Sequence, residues 1–157
     1  MQRFWFLVIL PLWNGSAGCL EASMHLDDRD EGVRRIEETR VEIAETGAWP
    51  HIEWWTDEAD PLGGWFDFTS IPWVSAARGS GDCDDAMALA EAILRGYETL
   101  RVFVESSRGW HAALLWHTPG GWVVISNMVL LPWIADTAEE VAYMIFGSDT
   151  QDVFIFY

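Results

Sequence analysis

The order of secondary-structure signals in the second half of the chain sets the fold class. Residues 82–97 are rich in strong helix formers, with Asp82 as a candidate N-cap and Gly96 as a stop. Three β-rich runs, a second helical stretch and a final strand follow, at 100–105, 110–116, 121–126, 136–146 and 152–157. A helix followed by an antiparallel meander predicts an α+β domain.

The amino-acid composition limits the classes of partner that the protein can bind. The chain has 157 residues, half of them hydrophobic, which is enough for one domain with a buried core. It carries 25 acids against 9 bases, all of them Arg, for a net charge of −16. This balance argues against direct nucleic-acid binding and against adhesion to anionic membranes. It fits a neutral partner or a basic protein partner, and an acidic DNA mimic is a further alternative.

The first 19 residues differ from the remainder. One Arg, an apolar stretch from Phe4 to Trp13 and a run of small residues resemble an export signal, and Ser16 to Cys19 resembles a lipobox with Cys19 as a lipid anchor. The alternative is that this segment is the first buried element of the domain. We therefore divide the chain into residues 1–19 and a single domain over residues 20–157. No run reaches the ~18 apolar residues of a transmembrane span, and exported and cytoplasmic locations both remain open.

The region before the helix at 82–97 has two parts. Residues 28–46 are polar with interspersed Val and Ile, which predicts an amphipathic helix ending at Gly47. Residues 49–75 are rich in Trp and Phe and are broken by Pro and Gly, which indicates irregular structure or short strands. We interpret these aromatic residues as core rather than as a substrate groove.

A cysteine opens the helix at 82–97, directly after Gly79-Ser-Gly-Asp. The unpaired N–H groups at a helix N-terminus favour a thiolate at Cys83. Asp82, Asp84 and Asp85 repel that anion, so activation of Cys83 requires an imidazolium partner. We take Cys83 as a candidate nucleophile; the alternative, a buried structural cysteine, fits poorly between acids.

Two later residues complete a candidate triad. His111 lies on the second strand-like run, and Asn127 follows the third, which a hairpin would place beside it. The order Cys83, His111, Asn127 is that of a thiol nucleophile, a base and an orienting residue. The alternatives are a core histidine, with His117 as a rival, and an ordinary turn residue. A zinc site would need a second Cys or paired His, so we expect no metal and no cofactor.

Three segments resemble the bacterial transglutaminase-like cysteine peptidases: residues 71–86, Trp110-His111-Ala112 and Val123 to Asn127. The resemblance implies a papain-like fold in which a nucleophile-bearing helix packs on a small antiparallel sheet. It also implies Cys83 as nucleophile, His111 as base, and hydrolysis of a peptide or isopeptide bond in a peptide or protein substrate through an acyl-enzyme.

The chain also departs from that family's pattern. The third position is usually Asp in the family, whereas here the strand ends in Ser126-Asn127, so either residue is a candidate. Ala86 replaces a family aromatic, and Val74 stands where Glu is expected. These departures keep open a second hypothesis, a catalytically inactive transglutaminase-like binding module.

Overall fold

The computed structural model describes residues 26–57, 70–107 and 109–156. The predictions for residues 1–19 and for Trp65, Phe66 and Phe68 lie outside the described residues. The helices are α1 (Leu26–Thr46), α2 (Pro72–Arg78), α3 (Cys83–Ile93) and α4 (Ala138–Tyr143), with a 3-10 turn at Gly147–Asp149. The strands are β1 (Thr56–Asp57), β2 (Ser80–Gly81), β3 (Thr99–Ser106), β4 (Gly109–Thr118), β5 (Gly121–Ser126), β6 (Val129–Ala135) and β7 (Thr150–Phe156).

Five of these strands form one antiparallel sheet in the order β6-β5-β4-β3-β7. The helix α3 packs on β4 and β5 from one side, and α4 packs on the sheet from the other. A separate pair, β1 and β2, is parallel and aligns Thr56 with Ser80 and Asp57 with Gly81. The prediction of an α+β fold with the cysteine-bearing helix on a small antiparallel sheet is confirmed.

Side-chain alternation along β4 divides the core into two layers, because successive residues of a strand point to opposite faces. Ala112 and Leu114 belong to the layer beneath α3, whereas Ala113 and Leu115 belong to the layer beneath α4. We call these faces of the sheet the α3 face and the α4 face. Both layers are buried, and the sheet is therefore covered by a helix on each side.

The helix that carries Cys83 begins where the sequence predicts and ends earlier. Asp82 is its N-cap, as predicted, but α3 ends at Ile93 rather than at Tyr97. Met87, Ala90 and Leu94 are buried as expected, whereas Tyr97 lies beyond the helix and is exposed, so that part of the prediction is wrong. The C-cap residue Leu94 follows the helix, and its side chain is the last of the buried face.

The outer helix forms as the sequence predicts. The described tryptophans of the aromatic segment pack in or against the core, as interpreted, but the segment is not irregular throughout, because the helix α2 begins at Pro72. In α1, Ile36 and Ile43 are buried, while Arg34 forms exposed ion pairs with Glu31 and Glu38. Trp49 is buried and its Nε1 donates to the Met128 carbonyl at 3.0 Å. Three further tryptophans pack against the first core layer: Trp54, Trp55 and Trp73. No helix within the described residues is both long and apolar enough to cross a membrane.

Candidate active site

Cys83 is the first residue of α3, where the backbone leaves N–H groups without helical partners. The Asp82 side chain accepts a hydrogen bond from the Asp85 N–H at 3.4 Å and so caps the helix. Cys83 forms no disulfide within the described residues, is half-buried and packs against the core layer beneath α3. Its position therefore combines partial access to solvent with the positive end of a helix.

The two glycines before Cys83 are required by close packing. Gly79 ends α2 at φ 74°, a left-handed conformation that favours glycine. A Cβ atom on Gly81 would lie 2.6 Å from the Asp85 Cβ and 3.0 Å from the Trp55 ring. These glycines let β2 pack closely against both β1 and α3. This packing fixes the position of Cys83 at the start of α3.

His111 lies near the start of β4 and is joined to Ser126, the last residue of β5. Its Nε2 is 2.8 Å from the Ser126 Oγ, and its ring meets the edge of Phe146 with centroids 5.7 Å apart. Burial lowers the pKa of His111 below its ordinary value, and the Asp57 carboxylate opposes that shift. Burial therefore favours the neutral form of the His111 imidazole.

Asn127 occupies a tight turn between β5 and β6. Asn127 and Met128 have φ values of 48° and 64°, and Ser126 pairs with Val129, as in a two-residue type I′ hairpin. The Asn127 Nδ2 donates to the Asp57 Oδ2 at 2.9 Å. Its Oδ1 is buried and, among the described residues, has no hydrogen-bond partner. The partner of His111 in this structure is thus Ser126, while Asn127 is tied to Asp57.

Asp57 belongs to this candidate site and was not named by the sequence analysis. Its backbone pairs with Gly81, two positions before the cysteine, its side chain binds Asn127, and its charge acts on His111. It follows Trp54-Trp55 in a strand of two residues, where no periodic or motif signal marks it. Only the tertiary pairing of β1 with β2 brings this carboxylate to the site.

The structure places the thiol and the imidazole on opposite faces of the sheet. His111 pairs with Val104, a residue of the layer beneath α4, so strand alternation places it on the α4 face. Cys83 packs on the α3 face. Cys83 and His111 thus lie on opposite faces of the sheet, near the end where β4 begins and β5 ends. Asp57 and Asn127 lie at this end.

Three aspartates at the start of α3 flank Cys83 in sequence and lie close to one another. Asp82, Asp84 and Asp85 each offer an oxygen within 4.8 Å of the others, so within the described residues they form the group suited to a cation with oxygen ligands. Asp85 is buried and accepts hydrogen bonds from the Ser70 N–H at 2.5 Å and the Ser70 hydroxyl at 3.3 Å. Their negative charge raises the cost of a thiolate at Cys83.

Comparison with known proteins gives distant structural similarity only. No protein-family model matches the chain, and no curated protein matches it. Among solved structures it is similar to calcium-bound LapG from Legionella pneumophila, with 17% identity, TM-score 0.46, and coverage of 83% of this chain and 71% of that one. The EGTA-treated form of LapG gives 16% identity, TM-score 0.49, and coverage of 88% and 81%. Similarity at this level carries no argument about the site, so the assignment depends on the residues themselves.

Proposed function

We propose that the chain is a cysteine-nucleophile hydrolase of transglutaminase-like type that cleaves a peptide or isopeptide bond through an acyl-enzyme. The observation that carries the proposal is the position of Asp57. Its backbone aligns with Gly81 beside the cysteine, its carboxylate accepts from Asn127, and its charge influences His111. One residue thus connects the surroundings of all three candidate catalytic residues at one end of the sheet.

The proposed roles follow from hydrogen-bonding chemistry. With Nε2 of His111 bonded to the Ser126 hydroxyl, Nδ1 is the nitrogen left to accept the thiol proton. The Cys83 thiolate attacks the carbonyl carbon, and His111 returns the proton to the leaving amine. Water then enters, loses a proton to His111 and releases the acid. The Cys83 backbone N–H at the start of α3 is a donor for the oxyanion.

The third member of the triad has two candidates with different tasks. Ser126 holds the His111 ring through its 2.8 Å bond. Asn127 holds Asp57, whose carboxylate stabilises an imidazolium at His111. In this proposal Ser126 orients the base, and the Asn127–Asp57 pair supplies the charge that the family's aspartate would supply.

The testing experiment is the pH dependence of Cys83 alkylation by iodoacetamide in the full chain with Cys19→Ser, which leaves one thiol. We expect the Cys83 pKa to lie below the ordinary ~8.5. His111→Ala should raise this pKa, and the alkylation rate at pH 6.5 should fall by about tenfold for each pH unit by which the pKa rises. His117→Ala is the matched control, because His117 lies on the same strand but is exposed and bonded to Glu98. It should leave the profile unchanged.

An ordinary or raised pKa that does not respond to His111→Ala would contradict the proposal. The acids at Asp82, Asp84 and Asp85 favour that outcome electrostatically, and it would make a non-catalytic binding module on the same fold the leading interpretation. Far-UV circular dichroism of both histidine variants confirms that an altered rate reflects the thiol and not unfolding.

A further inference from the structure

An exposed strip of aromatic residues lies on the α3 face of the sheet, beside α3. We define the aromatic strip as Phe103, Trp110, Phe154 and Phe156. The Trp110 and Phe154 rings lie 5.5 Å apart, and the Phe103 and Phe156 rings lie 5.6 Å apart. Trp110, Phe154 and Phe156 are 58%, 44% and 55% exposed. Large aromatic side chains grouped at the surface in this way mark an interaction site.

Two carboxylates line one end of the strip. Glu105 of β3 pairs with Trp110 of β4 on one side and with Asp152 of β7 on the other. Like charges directly opposite each other on neighbouring strands are destabilising. Within the described part of the chain, neither carboxylate has an ion-pair partner. Trp110, Glu105 and Asp152 thus form one row across β4, β3 and β7. In this row two carboxylates lie beside an exposed indole ring.

The strip lies on the same side of the sheet as α3, the helix that carries Cys83. Arg101 of β3 binds Glu91 of α3 at 3.1 Å, and Phe103 packs against the core layer beneath that helix. The strip and the candidate nucleophile therefore share one side of the sheet.

We propose that the aromatic strip binds an extended peptide segment that carries Arg or Lys. The cation stacks on Trp110 beside the Glu105 carboxylate, with Asp152 one strand further on. Apolar side chains of the segment cover Phe154 and Phe156. β7 is an edge strand of the sheet, and its free edge can pair with the segment's backbone. The net charge of −16 steers a basic partner toward this surface. The identification of this segment as the substrate rests on the proposed function. The binding of the segment to the strip is independent of that function.

The test uses the full chain with Cys83→Ala, so that binding is measured without chemistry. The probe is a short peptide of alternating Phe and Arg, and its control replaces each Arg with the neutral isostere citrulline. By titration calorimetry at low salt we expect the Arg peptide to bind at least tenfold more tightly than the citrulline peptide. Glu105→Gln with Asp152→Asn should remove that preference, and Trp110→Ala should weaken both peptides.

A matched control separates the strip from general charge attraction. Glu139→Gln with Glu140→Gln removes two exposed charges from α4 and should leave the preference for Arg intact. The proposal would be overturned if the two double variants lost the preference for Arg to the same extent. It would also be overturned if the Arg and citrulline peptides bound the Cys83→Ala protein equally tightly. So would a dimer by light scattering that Trp110→Ala dissociates, because the strip would then be covered by a second copy. An ordinary Cys83 pKa with Arg-selective binding intact would overturn the enzyme assignment alone.

Discussion

At the scale of single residues, the candidate site is governed by the burial of His111. The imidazole lies between the Phe146 ring and the Ser126 hydroxyl, and burial outweighs the opposing influence of Asp57 on its pKa. A buried neutral imidazole is ready to accept a proton from a thiol. The same burial makes protonation of His111 unfavourable for the folded state.

That cost predicts an acid-sensitive fold. The folded-state pKa of His111 lies below its ordinary 6.5, so below that pH the unfolded chain binds a proton that the native protein does not. Stability should fall as the pH drops from 7.5 to 5.5, by at most about 1.4 kcal/mol per pH unit below 6.5. His111→Gln, which keeps an amide near the Ser126 hydroxyl, should lose this slope.

Urea denaturation at several pH values measures this effect. His51→Gln serves as the control, since His51 is exposed and its removal should leave the acid slope as in the unsubstituted protein. An identical slope in the His111→Gln variant would show that carboxylates, not His111, set the acid response.

At the scale of elements, local sequence signals predict some of the helices and strands and miss others. The N-cap at Asp82, the helix formers that follow and the meander through β5 are all readable from the sequence. The strand β6 is not, because Pro132 within it argues against a strand, and only its position at the sheet edge makes the proline acceptable. The helix α2 is too short for a periodic pattern.

The short helix α4 gives the element-scale prediction. Thr137 is its N-cap and accepts a hydrogen bond from the Glu140 N–H at 3.2 Å. The cap orients six residues that bury Ala138, Val141 and Ala142 against the sheet. Thr137→Ala should therefore destabilise the protein by about 1 kcal/mol, seen as a melting temperature lower by roughly 2–4 °C.

Thr137→Ser is the control for this cap, because a serine hydroxyl can accept the same bond. It should retain most of the stability. If serine costs as much as alanine, the lost methyl group and not the capping bond stabilises α4.

At the scale of the whole molecule, long-range pairings assemble the site and one sign of charge dominates the surface. The bond from Asn127 to Asp57 joins the end of β5 to a strand far earlier in the chain. No local sequence signal reports such a pairing, which is why the sequence analysis names Cys83 and His111 as candidates but does not name Asp57. The described ion pairs mostly lie within α1, and most acids elsewhere have no basic neighbour in the sequence.

The excess charge predicts a stabilising response to salt. With a net charge of −16, self-repulsion opposes the folded state, and raising ionic strength from ~0.01 to ~0.1 M shortens the screening length from about 30 to about 10 Å. The melting temperature should rise by about 2–4 °C, a change on the order of 1 kcal/mol. Sodium chloride and sodium sulfate at equal ionic strength should act alike, since screening depends on ionic strength, whereas preferential exclusion would favour sulfate. A fall in melting temperature would mean that the exposed pairs of Arg34 with Glu31 and Glu38, which salt weakens, outweigh the repulsion among the remaining acids.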